Sequence, residues 1–489
     1  MKRILFSIGK SQESVMLQEE GVLTEYYVEP KQSKKIVGNI YKGKVSNLLA
    51  GMQAAFVNVG LEKNAFLYVG DTMADETELS EPVNKPTQLK IKVGDDIMVQ
   101  VVKDEIGGKG ARATNHISIP GRLIVMMPTV DYLGISRKIL DEEVRANLAS
   151  IVNKLRTPGV GYIIRTAAAS ATKEEIEQDI KFLKKEWESI KKAYQKAQPK
   201  TCIFKEANLV HRTLRDVNIS EVNEIVTNDK KLFETLKEYQ EENRINKNTK
   251  VILDEVVDLA YKYNITEEII NLASKNVRME NGSYLVFDKT EALTVIDVNT
   301  GKYVGDSNLE ETVYNTNLAA AREIAKQLRL RNIGGIVIVD FIDMNEDIHK
   351  AMLIEELRNE LKKDRTKTTV MGMTGLGLVE ITRKKSRNEI ASIMTKTCPY
   401  CKGDGYIITP FYTCSKIKLE IRRRLDTDKA PMIFIKVNPE MLSYLKTEKF
   451  FSDLKNDVTD IYFEADETKH VEEYEISLEG NEKIAYKAF

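Results

Sequence analysis

The chain of 489 residues is poor in several things, and each shortage excludes a class. It has four cysteines, Cys202, Cys398, Cys401 and Cys414, far too few for a secreted disulfide scaffold. No apolar run approaches the roughly 18 residues of a membrane-spanning helix, so no membrane role is expected. The start, MKRILFSIGKSQES, is basic, but its apolar stretch is only ILF, too short for a signal peptide. A cytoplasmic protein is expected. Charge of one sign is also missing: 73 Lys and Arg stand against 74 Asp and Glu, a net charge of −1. That excludes a bulk polycation but leaves open nucleic-acid binding through a local basic stripe. Candidate stripes are Arg383, Lys384, Lys385 and Arg387, and then Lys416, Lys418, Arg422, Arg423 and Arg424. The second group reads best as a solvated helix face. The histidines (His116, His211, His349, His470) form no ligand pattern. GGKG at 107–110 lacks the Walker pattern.

What is present is a folded composition, 42% apolar and 30% charged, long enough for about two to four domains. Residues 1–34 alternate in short runs that read as β-hairpins. Residues 35–118 hold several short strands between turn signals, as in a small barrel or sandwich. Residues 119–214 mix strands with a Lys- and Glu-rich helix. Residues 215–280 read as largely helical, 283–390 as β-α-β, 398–405 (CPYCKGDG) as a compact turn-rich element, and 410–489 as a small α+β unit.

The stretch 291–343 carries the most chemistry. EALTVIDVN reads as a strand whose alternation puts Asp297 and Asn299 on one side. A helix follows, with Ser307 and Glu310 in a capping-box pattern and Val313, Asn317, Ala320, Ile324 and Leu328 at helical spacing. GIVIVDFID is an apolar run of the buried-sheet kind. Strand, helix, strand implies two parallel strands ending at one sheet edge, where ligands bind in open α/β sheets. Asp297 and Asp340 then converge, with the Asn299 amide beside them. By alternation Asp343 faces the other way. Two close carboxylates repel unless a cation sits between them, and oxygen ligands suit Mg²⁺ or Mn²⁺. Metal-assisted phosphodiester hydrolysis is the natural chemistry. The plain alternative is that both Asp residues merely end strands.

Three weaker signals accompany it. QAAFVNVG and NAFLYVG put Phe56 and Phe66 at matching places in two strands, with Tyr41 and Lys42 upstream. This suits stacking on unpaired bases, or else two barrel-core phenylalanines. Cys398 and Cys401 are half of a tetrahedral Zn²⁺ site, completed either by Cys414 and Cys202 or by a second copy of the chain. Arg165 and Thr166 close GVGYIIRTA, where an Arg and a hydroxyl can hold a terminal phosphate.

Together NIYKGKV, AAFVNVG, IIRTA, IDVNT, NTNLAAAREIAKQLRLRNIGGIVIVDFIDM and CPYCKGDG resemble the ribonuclease E/G family of single-strand-specific endoribonucleases. The resemblance covers the whole chain, whose length matches the shorter members, so a long C-terminal scaffold is not expected. It implies an α+β multidomain fold. Residues 1–34 plus 215–280 would form an RNase H-like subdomain, with residues 35–118 as an inserted OB-fold RNA-binding barrel. Residues 119–214 would be a 5′-phosphate sensor and 281–397 a DNase I-like catalytic subdomain. Residues 398–414 would be a zinc link and 415–489 a small dimerisation domain.

By motif, Asp297 and Asp340 match the metal-binding pair, and Asn299 the group positioning the attacked phosphate or its water. Arg165, Thr166, Gly121, Val125 and, in GISRK, Arg137 match the 5′-phosphate pocket. Phe56, Phe66 and Lys109 match the RNA-contacting positions of the barrel. Cys398 and Cys401 match a Zn²⁺ link shared by two chains. The implied activity is Mg²⁺- or Mn²⁺-dependent hydrolysis of A/U-rich single-stranded RNA, preferably 5′-monophosphorylated, in ribosomal RNA processing or messenger decay, by a homodimer or homotetramer. Lys367 stands where relatives often carry Arg in a DR-x-R segment, and Lys makes no bidentate phosphate contact. A non-catalytic RNA-binding adaptor is the rival expectation.

Overall fold

A computed structural model describes residues 1–31, 36–49, 54–68, 91–105, 109–217, 219–241, 245–256, 258–301, 309–385, 387–427, 432–447, 451, 460–477, 480 and 485–488. The chain forms two units, Met1–Ala391 and Ser392–Phe489, and both mix α and β.

In the first unit, strands Lys2–Ile8, Gln12–Glu19 and Val22–Pro30 form an antiparallel meander. Lys2–Ile8 also pairs in parallel with Glu224–Thr227, which pairs in parallel with Lys250–Leu253. Ile4, Phe6, Val15 and Leu17 bury against Leu209, Leu214, Ile225 and Leu236. The largely helical expectation for 215–280 is therefore corrected. EIVT and KVIL are strands of four residues, too short for a period to show between helices.

Five strands close a barrel in the order Ile40–Leu49, Ala54–Asn58, Ala65–Tyr68, Arg112–Thr114, Asp96–Lys103 and back to Ile40–Leu49. Ala55, Val57, Ala65, Leu67, Val99 and Ala113 fill it. Gly43 is dictated by that filling, since a Cβ there would lie 2.4 Å from Val57 Cγ1. Next comes a sheet ordered Leu133–Ile135, Gly161–Ile164, Ile124–Met127, Ile119–Pro120. Helix Lys173–Lys196 packs on it through Ile176, Ile180 and Leu183 and starts with a Thr172–Glu175 capping box.

The sheet that carries Asp297 and Asp340 runs Asn276–Arg278, Tyr284–Lys289, Leu293–Asn299, Gly335–Asp340, Val379–Arg383, Thr368–Met373. Helices Leu309–Leu330 and Asp347–Leu361 share one core with its Leu285, Ile296, Val298, Val337, Val339 and Ile381. The reading of GIVIVDFID as a strand buried on both faces is thus corrected. Val337 and Val339 are buried, whereas Ile336 on the other face is 49% exposed, because both helices pack on the same side. Ser307 of the expected capping box lies outside the described residues.

In the second unit, helix Pro410–Thr427 packs through Cys414, Ile417 and Ile421 on a sheet ordered Tyr474–Ser477, Met432–Val437, Asp460–Ala465, Tyr486–Lys487.

Candidate active site

Strands Leu293–Asn299 and Gly335–Asp340 run parallel, and Asp297 lies directly opposite Asp340. Adjacent strands are about 4.8 Å apart and opposed side chains share a face. Both carboxylates are exposed, and neither has an ion pair among the described residues. Among the described residues the one polar partner is Asn299, whose Nδ2 donates to Asp297 Oδ2 at 2.7 Å. Asp343 falls beyond the strand end, so alternation does not set its direction; it is exposed in the following turn, its Oδ1 beside Gly377.

Two groups that the sequence suggests as a helix cap and a stripe position, Glu310 and Asn317, instead fix the turn after Asp340. Asn317 is fully buried; its Nδ2 donates to Ile342 O at 2.8 Å, and Ile342 N donates to its Oδ1 at 3.1 Å. The Glu310 carboxylate accepts from Asn345 N at 3.2 Å and Glu346 N at 3.3 Å, and meets His349 Nδ1 at 3.2 Å. The helix that follows the Asp297 strand thereby holds the turn that follows the Asp340 strand. An Asn inside an apolar helical stripe is the signal for this, since a buried amide needs partners.

Around the expected phosphate pocket, Arg165 is already engaged. Its Nη1 donates to Gly121 O at 2.6 Å and its Nη2 to Asp216 Oδ1 at 2.8 Å. Arg215 bonds Asp216 as well, and pairs with Glu206 at 2.8 Å. Burial pushes the Asp216 carboxyl up, but the Arg165 and Arg215 guanidiniums outweigh it and hold it below the ordinary range. Thr166 is exposed and shares a 2.8 Å hydrogen bond with Ser136 Oγ. The turn at Gly121 wraps the Asp179 carboxylate, which accepts from the N–H groups of Arg122, Leu123 and Ile124. A Cβ at Gly121 would lie 2.6 Å from Asp179 Oδ2. Val125 is half-buried on the strand beside this turn, and Arg137 is exposed next to Ser136. The segment bearing Lys367 is tied here too: Arg365 Nη1 donates to Asp216 O at 3.4 Å, and Lys138 Nζ to Asp364 O at 2.9 Å. Asp216, Arg215 and Asp179 were not foreseen; nothing in a single sequence couples positions so far apart. A cavity of about 720 Å³ backs this cluster, lined in part by Gly121, Asp179, Glu206 and Arg215.

On the barrel, Phe56 and Phe66 are directly opposed and pack edge to face, with centroids 5.8 Å apart. Their neighbours Ala55, Val57, Ala65 and Leu67 point inward, so the phenylalanines stand on the outer face, half-exposed. Lys109 is exposed. Tyr41 and Lys42 do not join them. Tyr41 is inside the barrel, and Lys42 Nζ donates to Tyr194 O and Ala197 O at the C-terminus of the long helix, where a cation is favoured. Of the first basic stripe, Arg383 is buried against Asp364 at 2.7 Å, and Arg387 lies over the Tyr27 ring at 4.1 Å.

In the second unit Cys398 is exposed and Cys401 half-buried. Hydrogen bonds from the backbone of Cys401 and Tyr400 lower the Cys398 thiol below its ordinary pKa. Cys414 is fully buried among Ile417, Met441 and other apolar groups, and burial pushes its thiol up to about 11. Cys202 lies in the first unit, on the barrel-flanking strand Thr201–Phe204. Among the described residues no three or more His, Cys, Asp and Glu side chains form a metal cage.

The exposed carboxylate pair lies at the carboxyl edge of a parallel strand pair, the place where ligands bind in open α/β sheets. Comparison with known proteins gives the family. The Ribonuclease E/G family profile matches residues 118–386. The chain is 38% identical to Ribonuclease G of Haemophilus influenzae, over 91% of this chain and 92% of that protein. It is 37% identical to Ribonuclease G of Escherichia coli K12, over 92% and 93%. It is 34% identical to Ribonuclease E of Synechocystis, over 76% of this chain and 56% of that protein. The chain belongs to the ribonuclease E/G family.

Proposed function

We propose that this family member is a divalent-cation-dependent endoribonuclease that hydrolyses single-stranded RNA to 5′-phosphate and 3′-hydroxyl ends. The observation that carries the reading is the register of Asp297 against Asp340, with no countercharge on either among the described residues. Two hard oxygen donors on one face fit Mg²⁺ or Mn²⁺, which keeps most of its positions for water and phosphate. When bound, the cation polarises the scissile phosphate and lowers the pKa of a water. Asp297 and Asp340 hold it. Asn299 steadies Asp297 and presents its amide to the phosphate or the water. Asn317 and Glu310 keep the Asp340 turn in place.

Phe56 and Phe66, on the outer face of the barrel, stack on unpaired bases, and Lys109 meets the backbone. Arg165, Thr166, Gly121 and Val125 take the 5′-monophosphate, with Arg137 beside them. Because Arg165 is ion-paired, that phosphate competes with Asp216. The closed strand order supports reading 35–118 as an OB-type barrel. The shared sheet supports joining the N-terminal strands with 215–280. Cys398 and Cys401 supply two soft thiolates of the four that Zn²⁺ needs, and the core position of Cys414 favours completion by a second chain. A homodimer with about one zinc per two chains is expected, and Cys398→Ala should lose both zinc and dimer mass.

The test is cleavage of a short 5′-monophosphorylated oligoribonucleotide with and without Mg²⁺, and with Mn²⁺. Wild type should cut only with the cation. An adaptor would bind the RNA and leave it intact.

A further inference from the structure

The open face of the catalytic sheet continues past the carboxylate pair. Tyr284 lies directly opposite Asn299, and Arg278 directly opposite Tyr284. Opposed residues share a face, so Arg278, Tyr284 and Asn299 form a row beside Asp297, spanning two strand spacings or about 10 Å. Arg278 is exposed and has no ion pair or side-chain hydrogen bond among the described residues. Tyr284 is half-exposed. Its ring lies beside Gly301, which has φ +60°. A Cβ there would sit 2.6 Å from Gly282 O and 3.3 Å from Tyr284 Cδ1. Any other residue would crowd the ring. The structure thus keeps an aromatic face and an uncompensated guanidinium in line with the reacting centre.

We propose that Arg278 and Tyr284 form a nucleotide subsite for the RNA residue flanking the scissile phosphate. Tyr284 stacks on its base and Arg278 takes its phosphate. Arg is the suited cation, because its planar fork matches phosphate oxygens. Stacking on a tyrosine face is tolerant of base identity, so the subsite adds grip and alignment without a sequence code. The proposal rests on the nuclease reading above, and it places the strand across the sheet, from Asp340 toward Arg278.

The experiment uses full-length protein carrying Asp297→Asn, expected to bind without cutting, and a single-stranded oligoribonucleotide in Ca²⁺. Adding Arg278→Gln should weaken binding about five-fold or more and lower the salt slope by about 0.7. Adding Tyr284→Ala should weaken it about five-fold or more, and Tyr284→Phe should restore it. The Tyr284→Ala loss should vanish on an oligomer that is abasic at the flanking nucleotide, which a merely structural effect would not do. In cleaving protein the same substitutions should raise KM and leave the half-saturating Mg²⁺ concentration as it is. An unchanged Kd and salt slope for Arg278→Gln, or equal losses on abasic and intact RNA for Tyr284→Ala, would overturn the subsite. Failure of wild type to cut with any divalent cation would instead sink the nuclease reading, and the binding measurements would still stand.

Discussion

The carboxylate pair and the arginine cluster belong to one unit, yet their electrostatics are opposite. At Asp297 and Asp340 two like charges face each other with one amide for company. Around Arg165 every charge has a partner: Asp216 sits between Arg165 and Arg215, and Arg215 reaches Glu206. Opposed like charges on neighbouring strands destabilise a sheet, so the first site carries a repulsion that the proposed cation would relieve. The second is internally balanced, and the proposed phosphate would gain there only what it wins from Asp216. The difference teaches that, on the proposed reading, the carboxylate pair calls for an added ion, whereas a phosphate at the arginine cluster calls for an exchange of partners.

The sharpest break of this contrast is to neutralise one Asp in each region. Asp297→Asn and Asp340→Asn should each reduce cleavage by at least ~10³-fold while RNA binding in Ca²⁺ survives. Without metal, the same changes should leave stability equal or raise it by about 0.2–1 kcal/mol, because a repulsion is removed. Near-normal cutting by either variant would remove the two-carboxylate mechanism. In the arginine cluster the sign reverses. Asp216→Asn should cost about 1–3 kcal/mol of stability, since two guanidiniums lose their charged acceptor, and it should increase the preference for 5′-monophosphate over 5′-hydroxyl RNA. A preference that stays the same or falls would show that Arg165 does not exchange Asp216 for phosphate.

Legibility from sequence divides along the same line. The carboxylate pair was readable because strand alternation and a short crossover place Asp297 and Asp340 by local rules alone. The β-rich character of 35–118 was readable from turn spacing, but not which way its aromatics faced; Phe56 and Phe66 pointed outward, while Tyr41 went in. The arginine cluster was half-readable. Arg165 stood out in IIRTA, but Asp216 lies 51 positions away on a helix whose own period marks it only as polar. The same holds for Asp179 under the Gly121 turn. Burial of Arg383 with Asp364 likewise turned an apparent basic stripe into an internal ion pair. Tertiary partners of charged groups carry no local pattern, and one-sided covering of the catalytic sheet is a matter of where helices pack.

A smaller change tests whether the exposed pair depends on its buried support. Asn317→Ala leaves the Ile342 carbonyl and N–H without their amide partner, costing about 1–3 kcal/mol of stability. Below the melting temperature the variant should still bind RNA, but it should need several-fold more Mg²⁺ for half-maximal cleavage, since the Asp340 turn is less confined. An unchanged metal requirement would make Asn317 a fold residue only.

The smallest expected effect is acid sensitivity of the arginine cluster. The folded Asp216 carboxyl titrates below its ordinary value of 3.8, because Arg165 and Arg215 outweigh its burial. A depressed carboxyl stabilises the fold while ionised, so the contribution is fully present above the unfolded pKa and fades as pH falls through the folded one. Many carboxyls titrate in that range, so the wild-type melting curve alone is not diagnostic. The difference in melting temperature between wild type and Asp216→Asn isolates the one group. It should be constant from about pH 7 to pH 5 and shrink as the pH drops toward 3. A gap that keeps its size down to pH 3 would mean that the pairing with Arg165 and Arg215 contributes no charge-dependent stability, and the contrast between a balanced arginine cluster and an unbalanced carboxylate pair would then rest on the carboxylates alone.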